Sequence, residues 1–450
     1  MTDLLHHRAL RREVPPPLRR SHDIQGNVLA AFNKDHQLFR FVRFTDDRLG
    51  RTWLAAMLGH LDATSDVEDF NELFSFGRTT SGGDPAGLRA TWANVSLTPE
   101  CLIDLSVNPH ATREDLREHF PHTAERAARA NGDTGDSAPA HWLFGRADQR
   151  VDAVVTVASD DPDRLAGTAR DLDVLDTLLG VTTVHEQHAA TLPGDRRGRE
   201  HFGYKDGISQ PGVRGFHHED RDRPGHRAGR PGTLLVNAGE FVFGHPAESP
   251  RPHAAAWLTD GSIQVVRRLT QDVDGWRDAV ERHGRGPELI GRRPDGRPLA
   301  ARPGHPDVGH PEDPLRHNDF DYADDPAGTA TPCPAHIRKT NPRSFTHRTP
   351  REHRVLRRGI PFGPAATGSA DDHERGLVFV AHCTSLAEQF EYVQRTWALN
   401  PDFAPGERGA PTGVDAVIGG GFVRTTGALY ALTPSISTLR LLAAGRELPR

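Results

Sequence analysis

The residues best suited to chemistry lie in three short stretches of the chain. The first, 203–207, reads Gly-Tyr-Lys-Asp-Gly and is followed by Ile208. Glycine lets the backbone approach a cavity closely, so the stretch could present the Asp206 carboxylate into one. Asp206 could equally accept hydrogen bonds from its own loop in an Asx turn. The pattern alone leaves both interpretations open.

The second stretch, 335–343, contains His336 just after a Cys-Pro turn and before a basic segment that ends in Asn-Pro-Arg. Imidazole is a common metal ligand, and Arg338, Lys339 and Arg343 form a cationic cluster beside it. The alternative is a surface histidine in a basic loop. The chain has 26 histidines, many of them among Arg, Asp and Pro, so their number is no argument for a metal.

The third stretch, 355–363, places Arg357 and Arg358 between an apolar Val-Leu pair and a Gly-Ile-Pro turn. Successive side chains of a strand point to opposite faces, so the strand register decides which arginine faces a pocket. A strand-end arginine paired with one of the many carboxylates is the alternative. None of the three stretches is decisive on spacing alone.

The first half of the chain predicts a scaffold for these residues. Residues 37–44 alternate apolar and polar side chains, which is typical of a half-buried antiparallel strand. Strand and helix signals then alternate in a way that predicts a ferredoxin-like α+β unit. The predicted strands are 37–44, 150–157 and 182–188, the predicted helices are 47–61 and 162–179, and a further strand–helix pair falls within 90–105.

The second half repeats the same strand–helix pattern. Strands are predicted at 262–269 and 376–382, and apolar residues share one face of a helix at 386–397. We therefore expect two related α+β domains with antiparallel sheets. Their expected bounds are 21–215 and 216–450, after a disordered tail at 1–20. The polar segment 284–334 is unusually long for a structureless loop, which indicates a functional or a disordered segment.

Composition narrows the class of protein. Lysine plus arginine is 55 and aspartate plus glutamate is 61, so the net charge is 55 − 61 = −6. That balance gives no support for a nucleic-acid or anionic-membrane partner. No apolar run approaches the roughly 20 residues that a membrane span needs. Three widely spaced cysteines indicate a reducing compartment, and the first 20 residues lack the apolar core of a secretory signal. A cytoplasmic protein is the expectation.

Together the three stretches resemble the motifs of the dye-decolorising peroxidases. Residues 203–207 match that family's Gly-x-x-Asp-Gly motif, 335–343 resembles its proximal-histidine segment, and 356–363 resembles its distal-arginine segment. Further matches lie at 23–27, 239–244, 318–322 and 390–397, so the resemblance covers most of residues 21–420 in the family's order. It implies a haem b peroxidase built of two ferredoxin-like domains, with the haem pocket mainly in the C-terminal one.

The resemblance implies a role for residues on each side of a haem. His336 would be the proximal iron ligand, as histidine is in other peroxidases. Asp415 would accept a hydrogen bond from the second ring nitrogen, although this chain has Asp-Ala where the family typically has Asp-Pro. On the distal side, Asp206 would be the base and Arg357 the cation that stabilises the departing oxygen.

Further contacts with the haem follow from the same resemblance. Leu377 and Phe379, on one face of a predicted strand, match positions that line the distal pocket, and Ile208 would also touch the cofactor. Arg343 is the expected partner of a haem propionate because guanidinium pairs well with carboxylates. Arg338 is a second choice for that partner.

The expected reaction uses hydrogen peroxide to oxidise a small aromatic or dye-like reductant by one-electron steps. The family is thought to pass electrons to large dyes through surface Trp or Tyr, and Trp397 matches such a position. Its i+4 spacing from Val393 favours packing instead. An oxygenase-type tailoring enzyme or a haem-handling protein on the same scaffold is the alternative function. A homo-oligomer is compatible with the sequence.

Overall fold

The computed structural model describes residues 15–85, 87–300, 313–343, 351–366, 373–403 and 421–450. Its first half contains four long antiparallel strands in the order β4-β1-β3-β2. This is the strand order of a ferredoxin-like unit. Every residue of β3 is buried, since the sheet is covered on both faces. The strands are β1 (His36–Phe44), β2 (Thr91–Leu97), β3 (Ala153–Ser159) and β4 (Val181–Ala190).

The second half repeats this order. Its strands run β11-β7-β10-β8, with β9 also paired to β10, so the last strand again lies beside the first. The expected pair of related α+β units with antiparallel sheets is confirmed. The strands are β7 (Ser262–Gln271), β8 (Leu356–Arg357), β9 (Ile360–Phe362), β10 (Gly376–Cys383) and β11 (Val423–Thr433), while β5 (Gly212–Val213) and β6 (Leu235–Val236) form a separate parallel pair.

The two halves share one continuous sheet. Leu97 of β2 pairs with Leu432 of β11, which joins the two sets of strands into a sheet of nine. Beside this junction, the hydroxyls of Ser96 and Thr433 hydrogen-bond at 2.7 Å. Since β11 is also paired to β7, this junction connects the first unit to the strands that carry the candidate site.

Most helices begin at residues whose side chains cap the first turn. Asp46 accepts from the Leu49 N–H, and Asp161 accepts from the Asp163 N–H, as N-terminal caps do. The helices are Gly26–Leu29, Asp47–Met57, Thr64–Ser81, Pro99–Leu105, Pro109–Arg117, Ala124–Ala127, Pro162–Leu178, Val273–His283, Gly286–Ile290, His336–Thr340 and Ile436–Ala443. Residues Leu386–Phe390 and Val393–Ala398 are π-helical turns within the predicted 386–397 helix.

The 18-residue helix Thr64–Ser81 was not predicted from the sequence. Its buried residues lie only in its first turns, and Leu73 and Phe76 are exposed. An apolar stripe is the signal by which a helix is recognised in a sequence. This helix lacks a continuous one, because Leu73 and Phe76 face solvent and Phe70 and Phe74 are only half-buried.

The expected disorder at 1–20 does not extend to residues 15–20. Residues Pro17–Arg20 form a 3-10 helix. The Leu18 N–H donates to the Gly215 carbonyl at 2.9 Å, and Arg19 Nε donates to the Phe216 carbonyl at 3.0 Å. These contacts order the segment. They bind it to both sides of the expected domain boundary at 215, which stays a prediction.

Within the described ranges, no helix is long and apolar enough to cross a membrane.

Candidate active site

Arg357 and Asp206 meet across 150 residues of chain. The Arg357 Nη1 donates to Asp206 Oδ1 at 2.9 Å. Arg357 lies on β8 opposite Ala381 of β10, so both side chains leave the same face of the sheet. Leu377 and Phe379 of β10 share that face by the two-residue period. Leu377 and Phe379 are both half-buried, whereas their neighbours on the opposite face, Val378 and Val380, are buried.

Arg358 points away from this face. Its Nε donates to the Asn27 carbonyl at 2.8 Å, and its Nη2 donates to the carbonyls of Val28 and Leu29 at 2.7 and 3.1 Å. These bonds fasten the strand to the first helix of the chain. Of the two arginines that the sequence left open, the structure therefore places Arg357 beside Asp206.

The loop after Asp206 also holds the backbone of Arg357. Gln210 Nε2 donates to the Arg357 carbonyl at 2.7 Å, and the Arg357 N–H donates to Gln210 Oε1 at 3.2 Å. The side chain of Gln210 thus completes a strand-like pair with β8. Sequence reasoning missed this role, although Gln210 lies in the same Gly-Ile-Ser-Gln run that follows Asp206.

Both interpretations of the Asp206 loop describe part of what is observed. Gly207 has a φ of +77°, and its N–H donates to Asp206 Oδ1 at 2.6 Å. The carboxylate therefore caps its own turn and also binds Arg357. Burial would raise the pKa of Asp206, but the Arg357 charge and the hydrogen bonds from Gly207 and Arg357 outweigh it and lower the pKa. Asp206 is thus an ionised carboxylate even in acid.

This electrostatic coupling predicts the pH dependence of any reaction that needs ionised Asp206. A lowered pKa keeps the carboxylate ionised down to pH values below its reference of about 3.9, so the rate should fall only when the pH drops below that value. Arg357→Met removes the charge that lowers the pKa, and the acid limb of the rate should then move to higher pH. Rates of reaction with hydrogen peroxide between about pH 2 and 7 test this, and an unshifted limb contradicts it.

His336 is the first residue of the helix His336–Thr340. The preceding turn is closed by the Ala335 N–H, which donates to the Pro332 carbonyl at 2.9 Å. Among the residues that the structure describes, the ring of His336 has no hydrogen-bond partner, and the residue is half-buried. Burial and then the Arg357 charge lower the pKa of His336 to about 4, against the effect of Asp206. The imidazole is therefore neutral near pH 7, the form that binds a metal.

Arg338 and Lys339 anchor this helix on its far side. Arg338 is fully buried, and its guanidinium binds the Asp325 carboxylate at 3.2 Å and the Thr331 carbonyl at 2.8 Å. Lys339 Nζ donates to the Asn400 carbonyl at 2.6 Å. The guanidinium of Arg338 is thus engaged by the polar segment that precedes the helix, and its role as a second-choice propionate partner stays a prediction.

Four arginines concentrate positive charge around the site. Burial and the charge of Arg343 lower the pKa of Arg292 to about 9. Burial and the charges of Arg343 and Arg357 likewise lower the pKa of Arg354 to about 9. Buried like charges are costly unless an anion neutralises them. The cluster therefore favours an anionic ligand. Sequence reasoning missed Arg292, which is distant in the chain from the three stretches, and Arg354, which directly precedes the third stretch but belongs to no motif.

Arg343 belongs to this cluster and is held by the segment 318–322. Its Nη1 donates to the carbonyls of Asn318 and Phe320 at 3.1 and 2.8 Å, and its Nη2 donates to Asn318 Oδ1 at 2.6 Å. Its guanidinium lies 3.7 Å from the centre of the Phe320 ring. The described part of the polar segment 284–334 thus forms a wall of the site rather than a disordered loop.

The other residues implied by the resemblance lie in different surroundings. Ile208 is half-buried beside Gly296, where a Cβ would lie 2.6 Å from its Cδ1. Phe379 is 6.0 Å from the ring of Phe390 behind it. Trp397 is 3% exposed and stacks on Phe403, which is the packing role that its spacing favoured. Asp415 lies outside the described residues.

These residues fit a haem by their chemistry. A half-buried neutral imidazole, apolar side chains from one strand face and a surplus of buried guanidinium charge are what an iron, a porphyrin and its two propionates require. The Asp206–Arg357 pair shares the electrostatic environment of His336, since both its charges shift the pKa of that imidazole. The structure thus pairs Asp206 with Arg357 directly, and both charges act on the imidazole of His336.

Comparison with known proteins gives matches to both halves. Residues 23–191 match the DyP dimeric alpha+beta barrel domain, and 249–404 match the Dyp-type peroxidase C-terminal domain. The dye-decolorizing peroxidase msp1 of Mycetinis scorodonius is 31% identical over 88% of this chain and 76% of its own. The multifunctional dye peroxidase DyP2 of an Amycolatopsis strain is 31% identical over 89% and 85%. The solved structure of an ancestral D-type dye-decolorizing peroxidase superposes with a TM-score of 0.75, at 26% identity, over 95% of this chain and 99% of its own.

Fold, site and relatives together define an oxidoreductase of the haem-dependent peroxidase class. The chain belongs to the dye-decolorising peroxidase family. The fold class and the enzyme class expected from the sequence are both confirmed.

Proposed function

We propose that this chain is a haem b peroxidase that uses hydrogen peroxide to oxidise small aromatic or dye-like compounds by one-electron steps. The observation that carries the proposal is the 2.9 Å pair of Arg357 and Asp206, which shares one environment with the neutral imidazole of His336. When bound, the haem supplies the electrons that reduce peroxide and then accepts electrons from the reductant. The residues of the chain supply binding, charge and proton transfer.

Asp206 is proposed as the base that moves one proton within the peroxide. Its lowered pKa keeps it ionised in mild acid, where a histidine would be protonated. The carboxylate takes a proton from the inner peroxide oxygen and returns it to the outer oxygen as that oxygen leaves as water. Proton uptake and release at one side chain needs no second acid.

Arg357 is proposed to stabilise the negative charge that develops on the departing oxygen. A guanidinium remains charged throughout the working pH range and cannot compete for the proton. Its position is fixed by the pairing of β8 with β10 and by two backbone hydrogen bonds with the Gln210 side chain, one donated by Gln210 and one accepted by it. Arg357 also keeps Asp206 ionised, so the pair works as one unit.

The other residues are proposed to hold the cofactor. His336 is the iron ligand, and Asp415 is proposed to accept a hydrogen bond from its second ring nitrogen, which would make the ligand more basic. Arg343 is the proposed partner of one propionate, and the field of Arg292 and Arg354 favours the same anions. Ile208, Leu377 and Phe379 are proposed to line the pocket and exclude water.

The proposed reductant is a small phenol. A solved dye-decolorizing peroxidase of similar fold forms a complex with 2,6-dimethoxyphenol. In this chain Trp397, the position of a surface relay, is buried, which supports small reductants over large dyes. All three cysteines are buried and free of disulfides. That state supports a cytoplasmic location as a proposal, and a homo-oligomer stays a prediction.

Oxidation of 2,6-dimethoxyphenol tests the proposed activity. Protein loaded with haem should oxidise it only when hydrogen peroxide is added, and the rate should follow the haem content of the preparation. Free haemin at the same concentration is the control for cofactor chemistry without the protein. Turnover no faster than that control, in protein with its full haem content, would contradict the proposal and favour an oxygenase-type or haem-handling role.

A further inference from the structure

A second carboxylate, Glu200, lies inside the turn that leads to Asp206. Its Oε2 accepts from the Phe202 N–H at 2.8 Å, and its Oε1 accepts from the Tyr204 N–H at 3.0 Å. The backbone closes the same turn, because the Gly203 N–H donates to the Glu200 carbonyl at 2.9 Å. The side chain of Glu200 thus fills the inside of a turn that ends two residues before Asp206.

Glu200 also joins this turn to the sheet that carries Arg357. Its Oε2 accepts a third hydrogen bond, from Gln271 Nε2 at 2.7 Å. Gln271 is the last residue of β7, and its N–H donates to the Arg375 carbonyl at 2.8 Å, next to the start of β10. Since β10 pairs with β8 at Arg357, the carboxylate connects the two segments that hold Asp206 and Arg357.

Two aromatic side chains of the turn pack on Trp276 and restrict its movement about the Glu200–Gln271 hydrogen bond. The Phe202 ring stacks on Trp276 at 4.4 Å, and Tyr204 meets Trp276 edge to face at 6.1 Å. The end of the turn is also held, because the Asp206 N–H donates to the Gly198 carbonyl at 3.0 Å. Removal of the carboxylate would therefore loosen one side of a turn whose other side stays packed.

The carboxylate of Glu200 is half-buried, and it is repelled by the charge of Asp206. Burial raises its pKa to about 7, against the three hydrogen bonds, and repulsion from Asp206 adds to the rise. A buried carboxylate close to a second carboxylate is costly for folding. The positional role rests on geometry, since three hydrogen bonds from Phe202, Tyr204 and Gln271 converge on this one carboxylate.

We infer that Glu200 is a positioning residue for the reaction with peroxide, because it fixes Asp206 relative to Arg357 through Phe202, Tyr204 and Gln271. The inference rests on the proposed role of Asp206 as the base. The two are separate, because Glu200 is inferred to determine where the Asp206 carboxylate lies, whereas the proposed function states what that carboxylate does. Glu200 itself touches neither Asp206 nor Arg357 through a hydrogen bond.

Glu200→Gln is the direct test, because it keeps the shape of the side chain and removes one strong acceptor. A displacement of the base by about 1 Å costs roughly 100-fold in rate. We expect the second-order rate constant with hydrogen peroxide to fall by about 10- to 100-fold. Turnover at saturating peroxide and limiting phenol should change little. Gln271→Leu removes only the connection to β7 and should cause a smaller loss of the same kind.

A double-mutant cycle separates positioning from a general loss of stability. If Glu200 acts through Asp206, Glu200→Gln should have no further effect on the peroxide rate in an Asp206→Asn background. Hydrogen exchange of the Phe202 and Tyr204 amides in the haem-loaded protein should be faster in Glu200→Gln and in Gln271→Leu than in the wild type. Glu288→Gln, which removes an exposed glutamate that pairs with Arg285, is the control and should match the wild type.

Each outcome has a separate meaning. A wild-type peroxide rate in Glu200→Gln, despite faster exchange in the turn, overturns the positioning role. An equal loss in the Asp206→Asn background also overturns it, because Glu200 would then act on something other than Asp206. If Asp206→Asn itself reacts with peroxide at the wild-type rate, the proposed base fails. The exchange measurement then still reports whether Glu200 holds the turn.

Discussion

His336→Ala is expected to lose most of its bound haem, and with it the Soret absorbance, while the polypeptide stays folded. The imidazole is the one proposed covalent link between the chain and the iron, so its removal leaves only apolar contacts and propionate pairs. Helix His336–Thr340 should persist because Arg338 and Lys339 anchor it independently, through Asp325 and the Asn400 carbonyl. Absorption of the purified variant, normalised to protein, measures the loss.

Two controls make the His336 result specific. His110→Ala removes a histidine that is exposed and paired only loosely with Glu114, and it should keep full haem content. Imidazole added to the His336→Ala protein should restore part of the Soret absorbance, since a free ligand can occupy the vacated space. If His336→Ala retains wild-type haem content and spectrum, the ligand assignment is wrong.

Asp206→Asn and Arg357→Met are expected to bind haem normally and to react slowly with peroxide. Loss of a general base typically costs about 100- to 10,000-fold, and loss of one stabilising charge about 100- to 1,000-fold. The two residues form one hydrogen-bonded unit, so the double variant should be much less impaired than the product of the single effects. Stopped-flow absorption at the Soret band with increasing peroxide measures all three rates.

Arg358→Met is the matched control for the Arg357 variant. The two arginines are neighbours in sequence, but Arg358 binds the carbonyls of Asn27, Val28 and Leu29 on the opposite face. We expect its loss to lower the free energy of unfolding and to leave the peroxide rate of the folded protein within a few-fold of the wild type. A larger rate loss for Arg358→Met than for Arg357→Met would reverse the assignment of the distal arginine.

The sequence predicts those elements whose signals are local. Strands β1 and β10 are found close to the predicted positions, 37–44 and 376–382. The expectation of a half-buried strand at 37–44 was wrong, because β1 is buried along most of its length. Helix Thr64–Ser81 was not predicted, because Leu73 and Phe76 face solvent and interrupt its apolar stripe. The repeat of one strand order in both halves confirms the two α+β units, but the junction at Leu97 and Leu432 has no local signal.

The candidate site is predictable only in part for the same reason. Asp206, His336 and Arg357 are found through motifs, and the resemblance favoured Arg357 over Arg358. The strand register that puts Arg357 opposite Ala381 is not visible in the spacing alone. The partner of Arg338 could not be predicted, because Asp325 lies in a polar segment without periodicity.

Supporting residues such as Gln210, Arg292, Arg354 and Glu200 act across long sequence separations. Gln210 bonds to the backbone of Arg357, and Glu200 bonds to Gln271 across 71 residues. A hydrogen bond between distant segments leaves no periodicity or spacing in the sequence. Such residues are therefore visible only once the fold brings the segments together.

The central claim is that His336, Asp206 and Arg357 build a haem site that reacts with peroxide. The most direct test is the absorption spectrum of the haem-loaded protein before and after one equivalent of hydrogen peroxide. We expect a Soret band that changes rapidly on mixing and returns when 2,6-dimethoxyphenol is added. A preparation that takes up no haemin, or one whose Soret band is unchanged by peroxide, would contradict the account.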